Sequence, residues 1–204
     1  MTGLIVCIGC TENPADTKPA AKVEAPAKAE APAKAEAETA KAPAAPSADG
    51  LALTGDIIFV GSKVSSNHAC KFTDWAGTAK LDGDDITKVA LSFTVQTKGI
   101  KADFEAPSKW SGKLEEHLRS DDFFSSEAHP TATFTSTGIV AKTAENATHE
   151  VTGNLTIKGI EKVVTFPATI GMENGKFKAK AEFSINRRDF KILYDGKADD
   201  LIRD

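Results

Sequence analysis

Cysteine is scarce in this chain of 204 residues: Cys7, Cys10 and Cys70 are the only three. Three are too few for a disulfide framework. Long apolar runs are lacking as well, and none approaches the roughly 20 residues a membrane-spanning helix needs. No charge of one sign dominates. The 25 Lys and Arg stand against 29 Asp and Glu, a net of −4, which argues against a nucleic-acid surface and is ordinary for a solvated one. Phosphate-binding loops, zinc-protease helices and nucleophile elbows have no counterpart in the sequence. Four histidines are present, His68, His117, His129 and His149. No two share the i, i+4 helical spacing of a metal site and no cysteine pair assists them, so no metal is expected. The adjacent acids Glu115–Glu116 and Asp121–Asp122 would point apart on a helix, which makes them poor catalytic dyads.

What is present is patterned for strands. Asp56–Val60 is rich in β-formers, and Phe72–Leu81 ends at the turn pair Asp82-Gly83. Val89, Leu91, Phe93 and Val95 alternate with Ala90, Ser92, Thr94 and Gln96, a strand with one apolar face. Ala132–Val140 follows the same rule until Gly138 breaks it. Val151, Gly153, Leu155 and Ile157 alternate with polar neighbours, and Lys158-Gly159 turns the chain into Val163–Ile170. Asn174-Gly175 is a strong hairpin signal. After it Phe177, Ala179, Ala181, Phe183 and Ile185 alternate with Lys176, Lys178, Lys180, Glu182 and Ser184. About eight such segments predict an antiparallel all-β domain; the pattern leaves sandwich and closed barrel open.

Between the strands lies Trp110–Phe134, on which the domain is organised. Trp110, Leu114 and Leu118 fall at i, i+4 and i+8, the apolar face of a short helix, with Lys113, Glu115 and Glu116 on its solvated side. Asp121-Asp122-Phe123-Phe124 then predicts a lid whose phenylalanines dip into an apolar space while the acids stay wet. Pro130 ends the turn, and Thr131–Thr135 alternates as a half-buried strand.

Three stretches carry a family resemblance. HLRSDDFF (117–124) with AHPTATF (128–134) resembles the central signature of the YceI-like family. VTGNLTIKGIEKVVTFPATI (151–170) resembles its V-x-G-x-L-T-x-x-G-x-x-K hairpin, and FSINRRDFKI (183–192) its I-x-R-x-D-F-G segment, with Lys191 where glycine is usual. The resemblance implies an eight-stranded lipocalin-like barrel with a short helical lid, found in the bacterial periplasm and binding isoprenoid lipids. The family's final strand has no counterpart after Asp199–Asp204: either the sequence is truncated there, the favoured reading, or the barrel has unpaired edges, which would invite a homodimer.

The domain is preceded by two unlike segments. Residues 1–10 read as a signal-peptide remnant, in which Leu4–Ile8 and Gly9-Cys10 resemble a lipobox, so Cys10 is the expected lipidation site of a membrane-anchored lipoprotein on the periplasmic side of the envelope. Residues 11–52 are mostly Ala, Pro, Lys and Glu, with APAKAE twice in tandem and five prolines from Pro19 to Pro46. That composition predicts a disordered tether. As a coil it would span on the order of 30–40 Å, and as polyproline II on the order of 110 Å. Residues 53–204 are the predicted barrel.

The expected function is binding and carriage of a long apolar lipid, a polyprenyl chain or a quinone, with no cofactor beyond that ligand, no nucleic-acid partner and no catalysis. The candidate contacts are Phe93, Trp110, Leu114, Leu118, Phe123, Phe124, Phe134, Leu155, Phe166, Phe177 and Phe183, with Arg187 for a phosphate or carbonyl headgroup. The plainer reading makes the aromatics core and Arg187 a pin for the last hairpin. Two rivals stand beside it. One is an enzyme acting on such a lipid, through a Cys70–His68 contact across one strand face or through His117 and His129. The other is a ligand-free interaction module on its tether.

Overall fold

The computed structural model describes residues 17–26, 50–62, 66–83, 85–144, 147–194, 196–197 and 200–201. The leader with Cys10 and residues 27–49 of the predicted tether lie outside the described residues.

Strands run where side chains alternate. In chain order they are β1 (Lys22–Glu24), β2 (Leu51–Ala52), β3 (Ile57–Ser62), β4 (Asn67–Phe72), β5 (Trp75–Lys80), β6 (Ala90–Gln96), β7 (Ile100–Ala102), β8 (Thr131–Ala144), β9 (Ala147–Ile157), β10 (Ile160–Glu173), β11 (Lys176–Ala181), β12 (Gly196–Lys197) and β13 (Asp200–Leu201), with one helix, α1 (Ser111–Arg119), between β7 and β8. The main sheet has the order β1-β10-β9-β8-β6-β5-β2, with β11 also on β10, and every ladder in it is antiparallel. Lys158-Gly159 and Asn174-Gly175 both take positive φ at their two residues (52° and 71°, 51° and 73°). That is the turn whose twist matches the flanking strands. The interruption at Gly138 is a bulge, where β8 shifts register against β9.

A second sheet, β3-β4-β7, continues the first around a bend. Thr73 and Asp74 separate β4 from β5, yet the Thr73 N–H donates to Gly99 O and the Gln96 N–H to Asp74 O. One bent path thus faces another across the corner. Among the described residues the wall is an open, curled antiparallel barrel, with no ladder joining β3 to β11. Among the described residues the small hairpin β12–β13 pairs with no other strand.

Two apolar clusters fill the concave side. One gathers Ala79, Leu91, Phe134, Ile139, Val151, Val164, Phe166, Ala168 and Ile170 from the main sheet. The other sits under the helix and holds Cys70, Phe72, Val95, Ile100, Leu118, Phe124 and Ala132.

The structure departs from the sequence reading at both ends of the last wall. The alternation through Ile185 predicted one strand, but β11 ends at Ala181; Phe183 turns inward and Ser184 meets the N-terminal segment. That segment, Thr17–Pro26, was expected to be part of an unstructured tether. It instead pairs along β10, with Lys22 opposite Thr165, Val23 opposite Val164 and Glu24 opposite Val163. The reason is tertiary: β11 covers β10 only from Ala168 to Glu173, which leaves donors and acceptors on the same edge that local composition does not reveal.

Lys18 forms an ion pair with Glu182, which Lys180 also approaches at 3.0 Å. The hydrogen bond from Lys18, then that from Lys180, holds the Glu182 carboxyl down at about 2, against an ordinary 4.5. A carboxyl depressed in the folded state stabilises above its unfolded value and loses that contribution as pH falls through its folded one. Docking of the segment is therefore expected to weaken between pH 4.5 and about 2. NMR resonances of Ala21 and Ser184 moving toward random-coil positions over that window would show it, and Glu182→Gln should remove most of the acid dependence.

Candidate ligand-binding site

The register brings the predicted aromatics into one row. Gly77, Phe93, Phe134 and Leu155 lie opposite one another across β5, β6, β8 and β9. Phe93 stacks on Phe134 at 5.0 Å between centroids, Phe134 meets Phe166 at 5.6 Å, and Phe166 stacks on Phe183 at 4.1 Å. The middle of the row is closed, with Phe134 and Phe166 2% and 7% exposed. Its ends, Phe93 and Phe183, are half-buried, as are Leu155 and Phe177, which pack against the same cluster. Gly153 makes this possible. A Cβ there would stand 2.5 Å from the Phe134 ring and 2.5 Å from Thr135 O, so the ring lies flat on the strand only because the side chain is missing.

The helix caps the other cluster, rotated from its predicted setting. Its buried residues are Ser111, Glu115 and Leu118, with Leu114 half-buried beside them. Trp110 precedes the helix, is 58% exposed, and has the ammonium groups of Lys109 and Lys113 5.2 and 4.9 Å from its ring. It is therefore not part of the apolar face. Glu115, expected in solvent, is 9% exposed. It accepts from the Ala102 N–H at 3.3 Å and from Lys101 and Arg119 at 3.4 Å. Arg119 also donates to the carbonyls of Lys98 and Ile100. These bonds lock α1 onto β7 and outweigh the simple period of the apolar residues.

The lid turn behaves as its sequence predicts. Asp121 and Asp122 are exposed and Phe124 is buried, edge-on to Phe59 at 5.6 Å and Phe72 at 5.8 Å. Phe123 is half-buried against His117 and Tyr194. Tyr194, Phe59 and Phe72 were missed as site neighbours. The alternation of Ile57 and Phe59 was the available signal for Phe59.

Arg187 donates to the carbonyls of Ile192 and Tyr194 at 2.8 and 2.9 Å. These two bonds tie Arg187 to the loop after Phe183. His117 bonds Asp122 at 3.0 Å, and the His129 ring packs on Gly159, where a Cβ would approach it to 2.8 Å. No group of three or more His, Cys, Asp or Glu that could hold a metal ion occurs among the described residues.

The conceivable Cys70–His68 contact does not form. His68 Nδ1 bonds Asp103 Oδ1 at 2.9 Å and its Nε2 faces Ser66, while the Cys70 thiol donates to the His68 carbonyl at 3.8 Å. Cys70 is 1% exposed, and burial, with the Asp103 charge, pushes its thiol up to about 12. A buried neutral thiol is a poor nucleophile. Peptide mapping after treatment with a thiol reagent at pH 8 is expected to find Cys70 unlabelled in the folded protein and labelled in urea; labelling without urea would contradict this placement.

An antiparallel, lipocalin-like wall with an apolar aromatic row along it and a second apolar cluster under a helix defines the class of small barrel proteins with a hydrophobic interior. The family model for the YceI-like domain matches residues 51–204. The chain therefore belongs to the YceI-like family. A UPF0312 protein of Pectobacterium atrosepticum is 33% identical over 130 residues, which cover 61% of this chain and 62% of that protein. Protein YceI of Escherichia coli is 32% identical over 130 residues, 61% of this chain and 63% of its own. The chain thus spans about 62% of the first of these relatives. Among solved structures, Burkholderia cenocepacia BcnA matches with a TM-score of 0.51 at 24% identity, covering 60% of this chain and 71% of that one. A mutant YCEI protein of Campylobacter jejuni matches with a TM-score of 0.50 at 24% identity, covering 66% and 79%. These two likenesses concern the fold.

Proposed function

We propose that the protein binds and carries a long apolar lipid, an isoprenoid such as a polyprenyl chain or a quinone, along the concave face, and that it does so without catalysis. The observation that supports this best is the phenylalanine row from Phe93 to Phe183, buried in the middle and half-open at its ends. Each methylene removed from water contributes about 0.8 kcal/mol, so ten contribute roughly 8 kcal/mol. That corresponds to about micromolar affinity before the costs of binding. Such a surface measures chain length and bulk rather than headgroup chemistry. Of the predicted contacts, Phe93, Phe134, Leu155, Phe166, Phe177 and Phe183 border this row; Leu114, Leu118, Phe123 and Phe124 belong to the capped end, and Trp110 and Arg187 to neither.

Cys10 as a lipid anchor would place the barrel on the periplasmic side of a bacterial envelope membrane, where it would meet such lipids. Ile58 and Val60, exposed on the edge strand β3, favour association into a homodimer. Titration of the purified chain with a fluorescent polyprenyl alcohol tests the binding reading. Saturation at one ligand per chain, weakened by Leu155→Glu, is the expected result. Partition no better than into a protein of unrelated fold would sink it.

A further inference from the structure

The N-terminal segment stands in a gap of the wall. Along the free edge of β10 two strands follow one another, β11 from Glu173 to Ala168 and β1 from Thr165 to Val163. Pro167, which has no N–H to give, falls at the changeover. Beyond Ala181 the chain leaves β10, sends Phe183 inward onto Phe166 and comes back alongside at Ser184. The wedge so opened between β10 and Ser184 is filled by residues 20–24. The Ala21 N–H donates to Ser184 O at 2.8 Å, the Ser184 N–H to Pro19 O at 3.0 Å, and Val23 packs inward opposite the fully buried Val164. Beneath lie Phe166 and Phe183, one end of the aromatic row.

We propose that residues 18–24 are a detachable strap over a lateral seam of the barrel, and that the apolar ligand enters through this seam when the strap lifts. The inference rests on the carrier reading and adds the entry point to it. The strap is built to leave. A three-residue strand has no stability of its own, Pro19 and Pro26 bound its ladder, and alanines 20 and 21 bury little surface. A cleft of about 350 Å³ already borders it, between Ala20, Val23, Ser184, Ile185 and Asp189. The helical lid is the opposite case. Arg119 and Glu115 tie it to β7 with charge-assisted bonds, and Phe124 is wedged between Phe59 and Phe72. Opening there would expose a core, whereas opening at the strap breaks one short ladder, the two backbone bonds at Ser184 and the exposed Lys18–Glu182 pair.

The test uses the full chain carrying Cys7→Ser and Cys10→Ser, so that no leader thiol competes. Val23→Asp puts a carboxylate on the apolar side and should lift the strap. Lys22→Cys with Thr165→Cys, directly opposite in the register, should pin it when oxidised. Stopped-flow uptake of a fluorescent polyprenyl alcohol should rise roughly tenfold in the first variant and fall roughly tenfold in the second, since the rate follows the open fraction. Reductant should return the pinned variant to the rate of the parent, which separates pinning from misfolding. Equal rates in the parent, the lifted and the pinned forms would overturn the strap and leave the carrier reading standing. Uptake in none of them would overturn the carrier reading, and the strap with it.

Discussion

Gly153→Ala is expected to cost about 3 kcal/mol of folding stability, the upper end of what overpacking a core costs. The added methyl would meet the Phe134 ring and the Thr135 carbonyl oxygen, each at 2.5 Å. The ring is flanked by Phe93, stacked at 5.0 Å, and by Phe166, tilted at 5.6 Å, so it has little room to move. The carbonyl is held in a strand. The melting temperature should fall by roughly 6–12 °C at this chain length. Gly171→Ala is the control, because nothing lies within 4 Å of its added Cβ. It should be neutral or gain up to about 1 kcal/mol from the restricted unfolded chain. Thermal melts of the two alanine variants that coincide would contradict the packing described for the aromatic row.

Arg119→Ala is expected to cost about 3 kcal/mol, read as a lower urea midpoint at unchanged slope. The loss has two parts. The carbonyls of Lys98 and Ile100 lose their donor, and buried Glu115 keeps only Lys101 and the Ala102 N–H. Removing one partner of a buried carboxylate costs more than removing both groups, because the charge that remains is less well compensated. Glu115→Leu combined with Arg119→Met should therefore be more stable than Arg119→Ala alone. The reverse order would mean that the helix is held by its apolar contacts and that the ionic network adds little.

These two variants also mark what could be read from the sequence. Gly153 lies in an alternating strand among large residues, and the two turn pairs fixed the hairpins beside it, so the main sheet and its aromatic face were legible from period and turn chemistry. Glu115 was not. A carboxylate within a charged helical stretch reads as solvated, and only β7 with its free Ala102 N–H turns it inward. Trp110 fails for the same reason, since the helix sits where its ionic contacts put it and the tryptophan is left outside under two lysines. The strap at 20–24 was the least legible. Its residues are those of a tether, and the energy that orders them belongs to the edge of β10, about 140 positions away in a chain whose non-local pairings dominate. Cys70 was ambiguous for want of its surroundings: the i, i+2 relation to His68 was real, but Asp103 takes the imidazole.

The central claim, that this barrel exists to hold an apolar chain, is most directly tested by native mass spectrometry of the protein freshly purified from its own host, followed by organic extraction and mass analysis of what it releases. The account predicts one polyprenyl or quinone molecule per chain, lost when the row is disrupted by Leu155→Glu. A protein that emerges without ligand, and still takes up none when offered isoprenoids, would contradict it.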